Sequence, residues 1–417
     1  MPAHTFASAL RHRDFRLFLI GQFVSLCGTW IQTVAQGWLV LQLTNSAFAV
    51  GLVTTLGSLP ILLFTLYGGV VADRTDKRKL VLALQCGMAL EAIGLGVLTQ
   101  LDLITVEWVM VLAVFFGVLS AFEVPTRQSL VAEIVGREDL MNAIALGSSA
   151  FNLARVVGPA IAGGLIATVG LAACFYVNAA SYLAVIAGLV LMRVHRPAVP
   201  TRVPALPALL EGIRYVFGTR WPRALMLLIA AFSIFGFSFV TMMPVFARDV
   251  LGLDATGYGL LVTGIGIGAA GAALGMAWLG GPARTGRLAV GSGVLFGVTL
   301  TAAAFAPERW SALALFSLTG CLMALNGIAA NTMLQLQAPD HLRGRVMGFY
   351  SFTVLGMAPF GSLQAGWVSE HFGARAALAL GGVVCAGVAI GIGWGVRERG
   401  GASGDHRTTS HPILPDP

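Results

Sequence analysis

The amino-acid sequence predicts an all-α integral membrane protein with twelve transmembrane helices in two six-helix halves, and three observations carry that expectation. Only 11% of the 417 residues are charged and 57% are hydrophobic, with a mean hydropathy of +0.82, whereas a soluble domain carries about 25% charged residues. Apolar runs of about 20 residues, the length a bilayer demands, recur along the whole chain. The basic residues gather in alternate gaps between those runs. Such long runs, without alternating polarity, exclude a β-barrel, whose strands are about 10 residues of alternating character.

In order, the runs are Leu17 to Leu43, Ala47 to Ala72, Leu80 to Leu101, Leu103 to Phe122, Leu140 to Thr168, Leu171 to Met192, Ala224 to Ala247, Ala255 to Ala283, Leu288 to Pro307, Trp310 to Pro339, Val346 to Ser369 and Ala376 to Val396. The longest polar connection divides them six and six. The expected organisation is therefore a first half over 1–192, a connection over 193–223, a second half over 224–396 and a polar, disordered tail over 397–417. Within the connection, Pro197, Pro200, Pro204 and Pro207 disfavour helix at the start. Leu209, Leu210, Ile213, Val216 and Phe217 then recur at helical spacing with Glu211 and Arg214 between them, which predicts a short helix on the membrane surface.

With both ends on one side, all but four of the 26 Lys and Arg fall in the termini and the even-numbered gaps. The exceptions are Arg248, Arg309 and Arg375 on the opposite side and Arg155 inside the fifth run. By the positive-inside rule both termini are cytoplasmic. The net charge of +7 is then topological, and no nucleic-acid partner is expected. Residues Met1 to Arg16 lack the apolar core and cleavage site of a signal peptide, so the first run is the expected insertion signal.

Cys27, Cys86, Cys174, Cys321 and Cys385 sit singly inside runs and read as small buried apolar residues. His4, His12, His195, His341, His371, His406 and His411 all lie outside the runs, and no Walker-type phosphate loop is present. A metal site, a cofactor and a membrane-embedded enzyme are therefore not expected. A non-transporting membrane receptor is the alternative from a different class.

Two stretches concentrate the chemistry. Residues Gly69 to Leu80 pack six charges, Asp73, Arg74, Asp76, Lys77, Arg78 and Lys79, between two apolar runs. Inside the runs only Glu91 and Arg155 are deep ionisable residues, and burying a charge at a helix centre costs at least about 2.5 to 3.5 kcal/mol. Glu91 reads either as a proton-linked acid or as a packed, protonated carboxyl. Uncharged polar residues supply a candidate cavity lining: Gln22, Gln32 and Gln36 in the first run, Asn326, Asn331 and Gln335 in the tenth, and Gln364 in the eleventh. With Trp30, Trp38, Phe235, Phe239 and Phe349 nearby, that lining suits amphipathic or aromatic substrates better than sugars.

Gly69 to Leu80 resembles the loop between helices 2 and 3 of the major facilitator superfamily, which runs Gly-x-Leu-Ala-Asp-Arg-x-Gly-Arg-Lys-x-x-Leu; here Val71 replaces the Leu and Asp76 the second Gly. The degenerate copy at Gly280 to Arg287 lacks the acid. Gly158-Pro159 with Gly163-Gly164 resembles the Gly-Pro and Gly-Gly signature of drug:proton antiporters. The segments around Thr29-Trp30 and Val124-Pro125 are similar to the bacterial branch containing macrolide, tetracycline and enterobactin exporters.

The resemblance implies the major facilitator fold in the bacterial plasma (inner) membrane, acting as a monomer. It implies a secondary active exporter that moves small amphipathic molecules, drug-like compounds or siderophores, out of the cytoplasm by alternating access in exchange for protons. A siderophore-dedicated exporter and an uptake transporter of the same fold are the alternatives. Gly69 would let the second helix approach the eleventh closely, while Asp73 faces that helix's N-terminus, whose partial positive charge favours a carboxylate. Glu123 would be the second acid of this latch, with Arg74, Lys77 and Arg78 either part of it or positive-inside anchors. Gly158, Pro159, Gly163 and Gly164 imply a functional bend or ordinary tight packing. Arg155 would line the central cavity and contact substrate, or be a structural Arg bonded to carbonyls.

Overall fold

The computed structural model describes residues 8–193, 205–279, 282–339 and 342–402. Among them there is no strand, and eleven helical stretches are long and apolar enough to cross a membrane. We number the crossing segments as spans. Span 1 is Arg13–Thr44, span 2 Ala47–Arg74 and span 3 Lys77–Gln100. A 63-residue helix, Val106–Thr168, follows, and then span 6, Leu171–Leu191.

At about 1.5 Å per residue that long helix would extend roughly 95 Å, about three times the hydrocarbon core. It holds two crossings. Gly136 leaves the helical region at φ 73°, ψ 179°, a conformation that side-chain-bearing residues rarely adopt. On one side of it, Gly57 and Gly68 of span 2 lie against Ala113 and Ala121, in the same chain order. On the other, Gly158 lies against Cys27 and Trp30 of span 1. His12, just before span 1, meets Asp139, so this limb follows span 1 in chain order as the first follows span 2. Spans 1 and 2 are antiparallel neighbours joined by a tight turn, and the two limbs are antiparallel too. Residues 106–135 are span 4 and residues 137–168 span 5, which brings the crossings to twelve.

Turn chemistry sets the short connections. Asn45 takes φ 52° to end span 1, and the Ser46 hydroxyl accepts from the Ala49 amide at 3.1 Å to start span 2. Asp76 caps span 3 through the Lys79 amide at 3.1 Å, an N-cap worth about 1 kcal/mol.

In the second half, span 7 starts at Arg220–Thr241 and continues irregularly to Val250. Two π-helical turns, Phe232–Gly236 and Phe246–Val250, flank Pro244. The apolar run in the sequence gives no sign of this. Phe232 and Phe246 from these turns, and Phe239 between them, pack on Phe296 and Phe316 with ring centroids 5.0 to 6.2 Å apart. Span 8 is Ala255–Leu279, span 9 Pro282–Ala304 and span 10 Arg309–Gln337. Span 11 is broken at Met357 into Arg343–Gly356 and Ala358–Phe372, the second piece opening on Pro359, which cannot continue a helical hydrogen-bond ladder.

Span 12 runs from Ala374 to Ala402. The helix thus continues past 396, where a polar tail is expected to begin, and residues 403–417 lie outside the described residues. So do 194–204, including Pro197, Pro200 and Pro204. The expected surface helix is present at Ala205–Gly218. It is clamped to spans 10 and 11: Glu211 pairs with Arg345, Gly212 seats on the Arg345 carbonyl, and the Tyr215 hydroxyl donates to the Gln337 carbonyl at 3.2 Å. Of the cysteines, Cys174 and Cys385 are buried, but Cys86 is exposed on the outside of span 3 and corrects the expectation of burial.

Candidate functional site

A cavity of about 380 Å³ lies in the seam between the halves. Span 1 contributes Trp30, Thr33, Gln36 and Gly37, span 2 Thr54, Gly57, Ser58 and Ile61, and span 4 Ala113 and Phe116. Opposite them stand Val240, Thr241 and Pro244 of span 7 and Tyr258 and Val262 of span 8. The stretch of span 7 between its two π-turns therefore forms part of the wall.

One end of the seam is closed. We call it the far end, opposite the loop carrying Asp73. There Trp38 and Tyr258 stack across the seam, centroids 5.8 Å apart at 17°. The Arg248 guanidinium donates to the Leu41 carbonyl at 3.2 Å and to Asn45 Oδ1 at 2.6 Å. Glu370 accepts from the Ser46 hydroxyl and the Phe48 amide, each at 3.0 Å. Backbones meet directly as well. A Cβ added to Gly51 would stand 2.5 Å from the Ser362 carbonyl of span 11, and one added to Gly259 2.7 Å from the Pro159 carbonyl.

The antiporter-like signature divides accordingly. Gly158 packs on span 1 and Gly163 on Thr256 of span 8, whereas Gly164 meets nothing within 4 Å. Close approach explains the first two glycines, but not Pro159 or Gly164.

Behind the cavity wall lies a buried polar network. Gln32 Nε2 donates to both oxygens of Glu91, at 3.2 and 3.0 Å, and Gln32 Oε1 accepts from Asn178 at 2.7 Å. Asn178 also reaches the Tyr182 hydroxyl at 3.4 Å and the Ser181 hydroxyl at 3.1 Å. Glu91 is 1% exposed. It joins spans 1, 3 and 6 instead of standing at the periphery of its half, and among the described residues no cation pairs with it. The sequence reading missed Asn178; a lone Asn in a 21-residue apolar helix was the available signal.

The loop of six charges is arranged differently from the expected latch. Lys77, 7% exposed, pairs with Glu133 of span 4 at 2.6 Å. Arg78 donates to the carbonyls of Leu189 and Val190 on span 6, at 2.6 and 2.9 Å. Both basic residues thus secure their own half. Glu123 binds Arg127 at 2.9 Å and Gln85 at 3.4 Å, so its hydrogen bonds do not join it to Asp73. Asp73 is half-buried and makes no hydrogen bond or ion pair among the described residues, and Arg74 is exposed. Gly69 meets nothing within 4 Å, so its expected close approach to span 11 is absent here; Gly68 is the tightly packed glycine, on span 4.

Arg155 donates to Asn152 at 3.0 Å, and its Nε is buried without a partner. It is not among the residues lining the cavity, and its side chain is not bonded to backbone carbonyls. Asn331 and Gln335 bond to each other toward the loop end of span 10. Asn326 is a structural tie, donating to the Ala289 carbonyl of span 9 at 2.6 Å. Gln22 is buried, with its carbonyl oxygen unpartnered.

A family model described as transmembrane secretion effector matches residues 4–413. The chain belongs to that family, within the major facilitator superfamily. It is 28% identical over 370 residues to the multidrug efflux pump Tap of Mycolicibacterium fortuitum, covering 86% of this chain and 90% of that one. It is 27% identical to the enterobactin exporter EntS of Shigella flexneri (82% and 81% covered) and 26% identical to the staphyloferrin A transporter of Staphylococcus aureus (86% and 90%). Among solved structures it resembles a bacterial homologue of the lysosomal transporter Spinster, in an inward-facing and occupied conformation, at TM-score 0.72 and 14% identity (93% and 97% covered). A D-xylose-proton symporter follows at TM-score 0.70 and 13% identity (91% and 97%). At such identities the likeness shows the fold alone. The transporter is thus a multi-pass membrane protein of an exporter family.

Proposed function

We propose that the chain is a secondary active exporter of small amphipathic molecules, drug-like compounds or siderophores, working by alternating access in exchange for protons. It acts as a monomer in the bacterial inner membrane with both termini cytoplasmic, so that the loop end faces the cytoplasm and the observed closure is extracytoplasmic. The observation that carries this reading is the adjacency of cavity and acid. Gln36 lines the cavity, and Gln32, one helical turn away on span 1, holds the carboxyl of Glu91. A change in proton occupancy at Glu91 alters what Gln32 can donate to, and through Gln32 it bears on the wall of the cavity. Relatives that are efflux pumps and siderophore exporters support export over uptake.

In this cycle Asp73 engages the start of span 11 only when the cytoplasmic side closes, with Gly69 permitting the approach and Arg74 nearby. Lys77, Arg78 and Glu123 brace the first half, and Gly158, Pro159 and Gly163 hold the leak-tight packing of span 5. Arg155, Asn331 and Gln335 contact substrate on its way from the cytoplasm.

The test is dye transport in proteoliposomes. Movement should follow an imposed proton gradient, collapse with a protonophore and need no ATP, and Glu91→Gln should abolish the dependence on the gradient while dye binding persists. Transport driven equally well by a sodium gradient alone would overturn proton coupling.

A further inference from the structure

The hydrogen-bonding capacity of the cavity is lopsided, and this bears on what the cavity accepts. Hydroxyls on helices commonly donate to the carbonyl one turn back. Here Thr33 donates to Thr29 at 2.8 Å, Thr54 to Val50 at 3.0 Å and Ser58 to Thr54 at 2.8 Å. Each hydroxyl proton is thereby committed to the protein, and each oxygen is left with acceptor capacity only. Gln36 and the Tyr258 hydroxyl, both lining the cavity, make no hydrogen bond among the described residues. Thr33 and the span 2 face therefore present acceptors only, and the free donors of the wall, the Gln36 amide, the Tyr258 hydroxyl and the Trp30 indole N–H, stand on spans 1 and 8. It also carries no Asp, Glu, Lys, Arg or His. A permanently charged guest would lose its hydration there and find no counter-ion, the costliest kind of burial. Trp30 and Tyr258 add flat aromatic surface, and the volume falls within the usual range for drug-sized ligands.

We infer that the cavity selects uncharged, planar aromatic molecules that bring their own hydrogen-bond donors, hydroxyl or N–H groups, to the span 1 and span 2 wall. This rests on the reading of the chain as an exporter whose substrate occupies this cavity. It assigns the cavity a chemical class: neutral phenol-like or arylamine-like compounds, in preference to quaternary cations or donor-free ethers and tertiary amines.

The experiment measures binding of a matched fluorescent series to the purified protein in nanodiscs, read by quenching of tryptophan emission. The probes are an aminocoumarin, its N,N-dimethyl analogue and its N,N,N-trimethylammonium analogue, which share one ring system and differ in donors and charge. The aminocoumarin should bind best. The dimethyl analogue should be at least about fivefold weaker, the equivalent of one neutral hydrogen bond, and the ammonium analogue weaker by about tenfold or more. Two variants locate the effect. Gln36→Glu should improve binding of the ammonium analogue by about tenfold, because it supplies the counter-ion the wall lacks. Gly37→Leu, which fills the cavity opposite Tyr258, should abolish binding of all three while the protein stays monodisperse. Equal binding of the amino and dimethyl probes overturns the inference, as does an ammonium probe that binds best to the unaltered protein, or no binding by any of the three. Gradient-driven dye transport with a reversed binding order would defeat this inference alone. The expected binding order without any gradient-driven transport would defeat the export reading alone.

Discussion

At the far end of the seam, Arg248 and Glu370 reach from the second half onto the first, whereas at the loop end Lys77 and Arg78 turn back onto their own half. The far-end contacts match the fields they meet. Arg248 sits on the last carbonyls of span 1, the negative end of a helix, and Glu370 on the first amides of span 2, the positive end. The loop-end contacts instead knit spans 3, 4 and 6 together. Closure is thus made of bonds between halves, and the opposite end of bonds within the first half, a division that suits the alternating access proposed above.

The strongest way to break this comparison is to remove the far-end bonds. Charge-assisted hydrogen bonds contribute about 1.5 to 3 kcal/mol in protected sites, and exposed ones nearer 1 kcal/mol or less. Arg248→Ala with Glu370→Gln should therefore shift the balance toward the far-end-open state by about tenfold, since about 1.4 kcal/mol is a factor of ten. Spin labels at Leu103 and Phe305, exposed on the two halves, would report this as a new population at longer distance, after exposed Cys86 is replaced. An unchanged distance distribution would show that aromatic and backbone packing close the far end without these charges.

A second prediction sharpens the other side. Asp73 has no partner among the described residues in this state, so Asp73→Asn should leave thermal stability in detergent within about 0.5 kcal/mol, the usual range for a surface change. Export should nevertheless fall strongly, because in the proposed cycle the carboxylate acts when the loop end closes onto span 11. Normal transport by this variant would remove Asp73 from the proposed cycle.

The sequence made the twelve crossings legible because lipid enforces one repeated rule, an apolar run of fixed length. It also pointed to Glu91, since a buried acid in a chain with 11% charged residues has few ordinary explanations. The position of Glu91 was not legible: facing Gln32 and Asn178 depends on how spans 1, 3 and 6 rotate about their axes, and uniformly apolar helices carry little periodicity to fix that rotation. The roles of Arg248 and Glu370 were not legible for a different reason. Near the ends of spans, charges are common, and only the tertiary packing reveals which of them cap a helix of the other half. The π-turns of span 7 likewise arise from tertiary packing, in which Phe232, Phe239 and Phe246 meet Phe296 and Phe316.

The smallest expected effect separates two adjacent glycines. A Cβ on Gly68 would stand 2.4 Å from the Ala121 carbonyl oxygen, whereas one on Gly69 meets nothing within 4 Å. Backbone cannot yield as a flexible side chain does, so Gly68→Ala should destabilise the protein by about 1 to 3 kcal/mol, the cost typical of overpacking. Gly69→Ala should leave stability nearly unchanged, or raise it slightly through the better helix propensity of Ala. If Gly69 serves the approach to span 11 in the other state, Gly69→Ala slows transport without lowering the melting temperature. Equal melting temperatures for the two variants would mean that span 2 is less tightly fixed on span 4 than this packing requires. Full transport by Gly69→Ala would leave Asp73 as the one residue of the loop that acts only on closure.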